Sequence, residues 1–412
     1  MARYRGGMTE FRIERLGHHG DGIARGPVYA PMTLPGELIT GDLNGQRLEN
    51  VRIVQPSTDR VAAPCRHFKS CGGCQVQHAS DSLVEGWKAG IVKEALRAQG
   101  IEATISGVET SPAQSRRRAS LSVRRTKKGA VAGFHGRASG AIVEIPHCQL
   151  LHPELMAALP VAEALAIAGG SRRGELNASV TLSDGGLDVG VSDGKPLDRA
   201  LEIHLAQEAE RLDLARLAWD DEVIATRRAP GHMFGVARVV PPPGAFLQAT
   251  KPGEVALLRA VEGIIGNVSR VVDLFAGVGT FSLPLAQRSE VTAIEGSRDM
   301  IAALDRGWRE APGLKRVHGV ARDLYRNPLL RDEFKGVQAV VIDPPRAGAE
   351  AQIAELARSG VPTIAHVSCN PATFARDAAV LIEAGYVMGP ILVVDQFRWS
   401  AHVELVAGFT LT

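Results

Sequence analysis

The chain has 412 residues, enough for two or three domains with sizeable cores. Apolar residues make up 45% and charged residues 22%, the balance of an ordinary globular protein, which argues against a disordered or fibrous chain. The formal net charge of +2 is too small to argue for any partner, and no run of 18 apolar residues offers a membrane span.

The opening residues Met1–Gly7 lack the apolar core of a secretory signal, so a cytoplasmic location is expected. Disulfides are rare in that compartment, and the five cysteines need another use. Residues 9–56 alternate short apolar segments with turn signals at Gly17, Gly20-Asp21-Gly22, Pro35-Gly36 and Asn44-Gly45. About five short strands predict a small barrel of the OB type, either a platform for single-stranded nucleic acid or a barrel without ligand.

Cys65, Cys71 and Cys74 follow within ten residues, with Gly72 and Gly73 in the tight part. Such clustering reads as a metal site, and a fourth thiolate must come from Cys148 or Cys369. A 4Fe-4S cluster and an all-cysteine zinc site both fit this spacing. The five-residue gap between Cys65 and Cys71 departs from the Cys-x3-Cys-x2-Cys of radical enzymes. Residues 81–99 have the apolar spacing of an amphipathic helix. The run Arg116–Lys128 carries seven positive charges in thirteen residues on what reads as a hairpin. Either it neutralises RNA phosphates or it is simply solvated. Val239-Val240-Pro241-Pro242-Pro243-Gly244 reads as a boundary between domains.

After that boundary strands alternate with helices, which predicts a parallel α/β sheet. Asp273-Leu274-Phe275-Ala276-Gly277-Val278-Gly279-Thr280 places a glycine turn between a strand and a helix starting near Phe281, the position of a nucleotide-type cofactor loop. The next strand ends in Glu295, where a carboxylate accepts hydrogen bonds from ribose hydroxyls. A buried strand then delivers Asp343-Pro344-Pro345-Arg346. One βα unit later Thr363–Val367 reads as a strand ending at Ser368-Cys369, with Asn370 as helix N-cap and Pro371 at the first helical position. Cys369 is either a buried strand-end residue or a thiolate favoured by the helix dipole. His402–Val406 reads as a strand with His402 and Glu404 on one face.

Together these residues resemble the RNA (uracil-C5-)methyltransferase family, which uses S-adenosylmethionine to make 5-methyluridine. The likeness rests on the Asp273–Leu285 loop, on Asp343–Arg346, on Ser368–Asp377 and on His402-Val403-Glu404. It implies a C-terminal Rossmann-like methyltransferase sheet over residues 241–412. It also implies a TRAM barrel over 1–58 and a central β-rich region over 59–240 with an iron-sulfur site. Residue by residue it makes Cys369 the nucleophile and Glu404 the general base. Gln248, Phe275, Glu295 and Asp343 become cofactor contacts, and Cys65, Cys71, Cys74 and Cys148 the ligands of a 4Fe-4S cluster. The implied partner is RNA, most readily 23S rRNA with tRNA as the alternative, and neither a membrane nor an obligate protein partner is called for. Two departures stand out: Thr250 replaces a common Asn, and Arg398-Trp399-Ser400-Ala401 replaces the usual approach to His402. Rival readings are a purine-base methyltransferase, which needs no nucleophilic cysteine, and a non-catalytic RNA-binding or ribosome-assembly factor.

Overall fold

The computed structural model describes residues 3–5 and 8–411, with side chains from residue 9 onward. The segment Met1–Gly7, on which the expectation of a missing leader rests, lies largely outside the described residues. Strands Met8–Leu16, Gly22–Ala24, Val28–Ala30, Leu38–Asn44 and Arg47–Gln55 form the predicted barrel, joined at the edge by Arg3–Arg5. Met8–Leu16 pairs with both Gly22–Ala24 and Leu38–Asn44, which curls the sheet around Ile13, Ala24, Ala30, Ile39 and Leu48. The last two strands run longer than the sequence signals because Asn44-Gly45 forms a tight turn between them.

The basic hairpin is present as strands Arg118–Arg125 and Ala130–His135. It belongs to a seven-stranded sheet reaching Glu222–Thr226, with helices Ala158–Gly169 and Arg199–Arg211 packed on its apolar side. Trp219 is fully buried in that core.

The C-terminal sheet has nine strands. Its centre is four parallel neighbours, Glu290–Glu295, Arg270–Leu274, Ala339–Ile342 and Thr363–Ser368, followed by antiparallel Glu404–Leu411. Nearly every residue of Arg270–Leu274 and Ala339–Ile342 is buried, as a sheet covered on both faces requires. Strand order reverses at Arg270–Leu274: the chain moves out on one side through Glu290–Glu295 and Val317–Ala321, then returns to the other side as Ala339–Ile342, and such a switch opens a ligand crevice at the carboxyl ends of the strands. The helix expected after the glycine turn shrinks to Ser282–Leu285, with Pro284 in its first turn.

The sheet also reaches across the expected boundary. Strand Ile105–Thr110 pairs in parallel with Ile391–Asp395 at its edge, and helix Asp81–Arg97 packs on helix Pro371–Glu383. Residues 81–110 are thus built into the C-terminal layer. No helix among the described residues is long and apolar enough to cross a membrane.

The Trp219 core gives a direct check on the central sheet. A Cβ at Gly194 would fall 2.1 Å from the indole Cζ2. Gly194→Ala is therefore expected to cost about 1–3 kcal/mol by overpacking. The readout is a lower denaturation midpoint, with the substitution Gly190→Ala, which meets nothing within 4 Å, as the unperturbed control.

Candidate active site

Three adjacent parallel strands end at one edge and supply most of the site. Asp273 is buried and accepts a hydrogen bond from Ser282 Oγ at 2.5 Å; burial pushes its pKa up to about 7. Phe275 leaves the strand in the left-handed region at φ 61°, its ring 5.5 Å from Tyr325. Gly277 and Gly279 follow at φ 56° and 95°. A Cβ at Gly279 would meet Leu283 at 2.9 Å, so the turn needs glycine there. Glu295 accepts the backbone N–H groups of Gly277 at 3.1 Å and Ser297 at 3.0 Å, which holds its carboxylate across the mouth of the turn.

Asp343 follows the next strand, and burial pushes its pKa up to about 7 as well. Gln248 donates to its Oδ2 at 3.3 Å and accepts from Gln396 Nε2 at 2.6 Å. Gln248 is thus bonded to Asp343, and Glu295 to the glycine turn that Phe275 opens, at the carboxyl ends of three adjacent strands. Gln396 went unread in the sequence, since an isolated glutamine carries no pattern.

Cys369 follows strand Thr363–Ser368 as expected. The Asn370 side chain caps the next helix through the Ala372 N–H at 3.1 Å, and its Nδ2 donates to the Arg346 carbonyl at 3.0 Å. The cap thus ties the cysteine turn to the Asp-Pro-Pro-Arg segment. Ser368 lies opposite Leu405 in the antiparallel register, so Glu404 opens its strand beside Cys369. Strand Glu404–Leu411 begins after His402, which is exposed while Glu404 is buried. The expected shared face of the two residues is therefore not formed.

The electrostatics reverse one expectation. Burial first, then the nearby Glu404 and Asp343 carboxylates, push the Cys369 thiol up to about 11; Arg346 opposes them. The helix N-terminus does not overcome two anions at close range. Burial also raises Glu404 well above the usual carboxylate range, with Asp343 adding to the shift and Arg118 opposing it.

The start of the basic run faces inward. Arg117 pairs with Glu254 at 2.5 Å, Arg116 lies over the Phe397 ring, and Arg118 stacks 4.5 Å above Phe246 on the side of Glu404. Arg124 pairs with Glu175 at 2.9 Å. Within the run this leaves exposed Lys127 and Lys128 without a carboxylate partner among the described residues.

All five cysteines are free thiols. Cys65, Cys71 and Cys74 are buried and Cys148 half-buried, and the four lie close enough that each thiolate would raise the pKa of another. Burial pushes Cys74 up to about 12. Backbone N–H groups of Gly73 and Leu150 donate to Cys71 Sγ and Cys148 Sγ, each at 3.4 Å. A Cβ at Gly72 would sit 2.9 Å from the His135 carbonyl, so the close wrap needs that glycine. Among the described residues, no three His, Cys, Asp or Glu side chains converge into a shell that would hold a metal ion as they stand.

A family model described as tRNA (Uracil-5-)-methyltransferase matches residues 322–411, which include both Cys369 and Glu404. An uncharacterized RNA methyltransferase of Rhizobium meliloti is 41% identical over 404 residues, covering 96% of this chain and 97% of its own. The 23S rRNA (uracil(1939)-C(5))-methyltransferase RlmD of Halomonas elongata is 33% identical over 442 residues, covering 97% and 88%. The chain belongs to the RNA (uracil-C5-)methyltransferase family. The fold agrees: the crystal structure of Pyrococcus abyssi tRNA (uracil-54, C5)-methyltransferase with S-adenosyl-L-homocysteine superposes with a TM-score of 0.76 at 22% identity, covering 97% of this chain and 99% of that one. As a member of this family the chain is an S-adenosylmethionine-dependent enzyme.

The charge crowding around Cys369 is directly measurable. Glu404→Gln removes a negative neighbour, which lowers the thiol pKa and raises the thiolate fraction at fixed pH. Iodoacetamide at pH 8 should therefore alkylate Cys369 faster in Glu404→Gln than in the wild type, read by peptide mass spectrometry. Equal rates at all pH values would show that the carboxylate does not reach the thiol.

Proposed function

We propose that this enzyme forms 5-methyluridine in RNA with Cys369 as nucleophile and Glu404 as base, and that its substrate is 23S rRNA. The observation that carries this reading is the juxtaposition of one thiol and one buried carboxylate, set by the Ser368–Leu405 register, at the edge of the cofactor crevice. A purine methyltransferase has no use for that thiol. The 23S target rests on the near full-length likeness to the Halomonas RlmD protein.

The chemistry follows from the residues. C5 of uracil is a weak nucleophile until the Cys369 sulfur adds to C6, which places enolate density on C5. S-adenosylmethionine supplies an electrophilic methyl on a sulfonium centre. C5 takes that methyl, Glu404 removes the C5 proton, and the electron pair left behind expels the Cys369 thiolate. A raised Glu404 pKa makes it a better proton acceptor once ionised. A bound sulfonium would offset the Asp343 and Glu404 charges that hold the thiol protonated. Arg118 and Arg346 provide the positive charge facing Glu404 and Cys369 respectively. The uracil must leave its stack to reach this edge. Gln248, Phe275, Glu295 and Asp343 hold the cofactor in this reading: Glu295 takes the ribose, and Phe275 lies along the turn that carries it.

Residues 1–58 and 59–240 hold the RNA in this division of labour, while residues 241–412 transfer the methyl group. Lys127 and Lys128 are the hairpin charges left for phosphate. Cys65, Cys71, Cys74 and Cys148 hold a 4Fe-4S cluster. Four cysteines within electrostatic reach of one another, two N–H···S contacts and the Arg116 and Arg137 charges beside them would suit an anionic cluster once the four side chains draw together around it. Such a cluster supplies a covalent tie between residues 65–74 and 148.

Three experiments test this reading. Nucleoside mass spectrometry with site mapping should show one 5-methyluridine missing from 23S rRNA in cells lacking the protein; a loss confined to tRNA would move the target. With purified enzyme, Glu404→Gln should transfer methyl yet stall as a covalent protein–RNA species that survives denaturing electrophoresis, and Cys369→Ala in the same chain should abolish it. Anaerobically purified protein should carry about four irons per chain, lost in Cys148→Ser and kept in Cys369→Ser. One zinc in place of iron would replace the cluster assignment.

A further inference from the structure

The turn that delivers Glu404 is held by a cation outside the reaction centre. Lys88 lies on helix Asp81–Arg97, and its side chain is completely buried. An ammonium has three N–H donors. Here one meets Asp395 Oδ1 at 2.5 Å, one the His402 carbonyl at 2.9 Å and one the Phe397 carbonyl at 3.3 Å. Phe397 and His402 are the two ends of a single turn, so one cation closes that turn. Glu404 follows only two residues later.

The middle of the same turn is fixed from the cysteine segment. Backbone N–H groups of Gln75 and Val76 donate to the Trp399 carbonyl at 2.7 and 3.1 Å. Trp399 itself sits at φ 64°, unfavourable for its side chain, and packs with Cys65, Cys74 and Leu150. The departure Arg398-Trp399-Ser400-Ala401 noted in the sequence is thus the part of the turn that docks on the residues just after Cys74.

A buried ammonium is costly, and an apolar pair of similar volume would often stabilise the fold at least as well. What an apolar pair lacks is directed bonds to two chosen carbonyls. We infer that Lys88 is a positioning residue for the proton-removal step, fixing the Phe397–His402 turn so that Glu404 meets C5 of the methylated adduct. The inference rests on Glu404 being the base. It predicts a defect in elimination while cofactor binding and methyl transfer persist, because Lys88 touches neither the crevice nor Cys369.

The test uses the full-length protein with Lys88→Met/Asp395→Asn, which removes both charges together and keeps an acceptor for the Phe397 N–H. Hydrogen exchange should become faster in residues 397–403 while the central sheet stays protected. Binding of S-adenosylhomocysteine should remain at the wild-type level, which reports an intact fold. Turnover should fall on the order of 10²-fold, the scale of a 1 Å misplacement. The methylated covalent protein–RNA species should accumulate, as it does when the base is removed. Faster exchange in the turn with normal turnover and no covalent species would overturn the inference. So would wild-type exchange, or inactivity accompanied by lost S-adenosylhomocysteine binding. Glu404→Gln run alongside separates the two levels: normal turnover by that variant removes the base assignment and this inference with it. Trapping by Glu404→Gln combined with normal turnover in the Lys88 variant removes the inference alone.

Discussion

The site depends on a single antiparallel pairing within a parallel sheet. Thr363–Ser368 ends at the cofactor edge, and a parallel neighbour there would end at the same edge and present only its own carboxyl end. Glu404–Leu411 runs the other way, so it starts where Thr363–Ser368 stops. That reversal sets Glu404 beside Cys369 at the start of a rigid strand. A shift of one residue in this register would turn every side chain of the strand to the opposite face and move the carboxylate away from the thiol. The buried edge favours uncharged groups: Asp273, Asp343 and Glu404 are all raised by burial, and the Cys369 thiol is raised by burial first and then by Glu404 and Asp343. In the proposed reaction a bound sulfonium would offset the carboxylate part of that shift, while the part due to burial would remain.

The cysteine segment is not a separate appendage. Helix Asp81–Arg97 packs on the helix that starts after Cys369, and strand Ile105–Thr110 extends the catalytic sheet. The backbone after Cys74 bonds to the turn preceding Glu404. The cysteine segment therefore shares its framework with the edge that carries Cys369 and Glu404. Arg116 joins the two regions as well, lying over Phe397 while its charge faces Cys74 and Cys148.

Much of this was legible in the sequence where local chemistry dictates structure. Apolar runs ending in Asp273, Glu295, Asp343 and Ser368 announce buried parallel strands delivering polar residues to one edge. Asn370-Pro371 announces a helix start that the Asn370–Ala372 hydrogen bond realises. What escaped depends on tertiary neighbours. The Cys369 thiol, left between a buried strand-end residue and a dipole-favoured thiolate, is raised by burial first and then by two carboxylates distant in sequence. The basic run read as one phosphate-facing surface is divided, since Arg117 finds Glu254 and Arg116 finds an aromatic ring. Lys88 and Gln396 carry no pattern at all; each acquires its role only from partners far along the chain. The His402–Val406 strand begins late, at Glu404, because its partner Thr363–Ser368 ends opposite Leu405.

The reaction proposed for Cys369 forms a covalent bond between its sulfur and C6 of a uracil. RNA containing 5-fluorouridine tests it most directly, because fluorine at C5 cannot leave as a cation and the adduct cannot collapse. Incubation with S-adenosylmethionine, nuclease digestion and peptide mass spectrometry should yield a methylated fluorouridine attached to the peptide containing Cys369. Methylation of ordinary RNA by the same preparation without any linkage to the fluorinated RNA, or linkage at a different residue, would contradict the account.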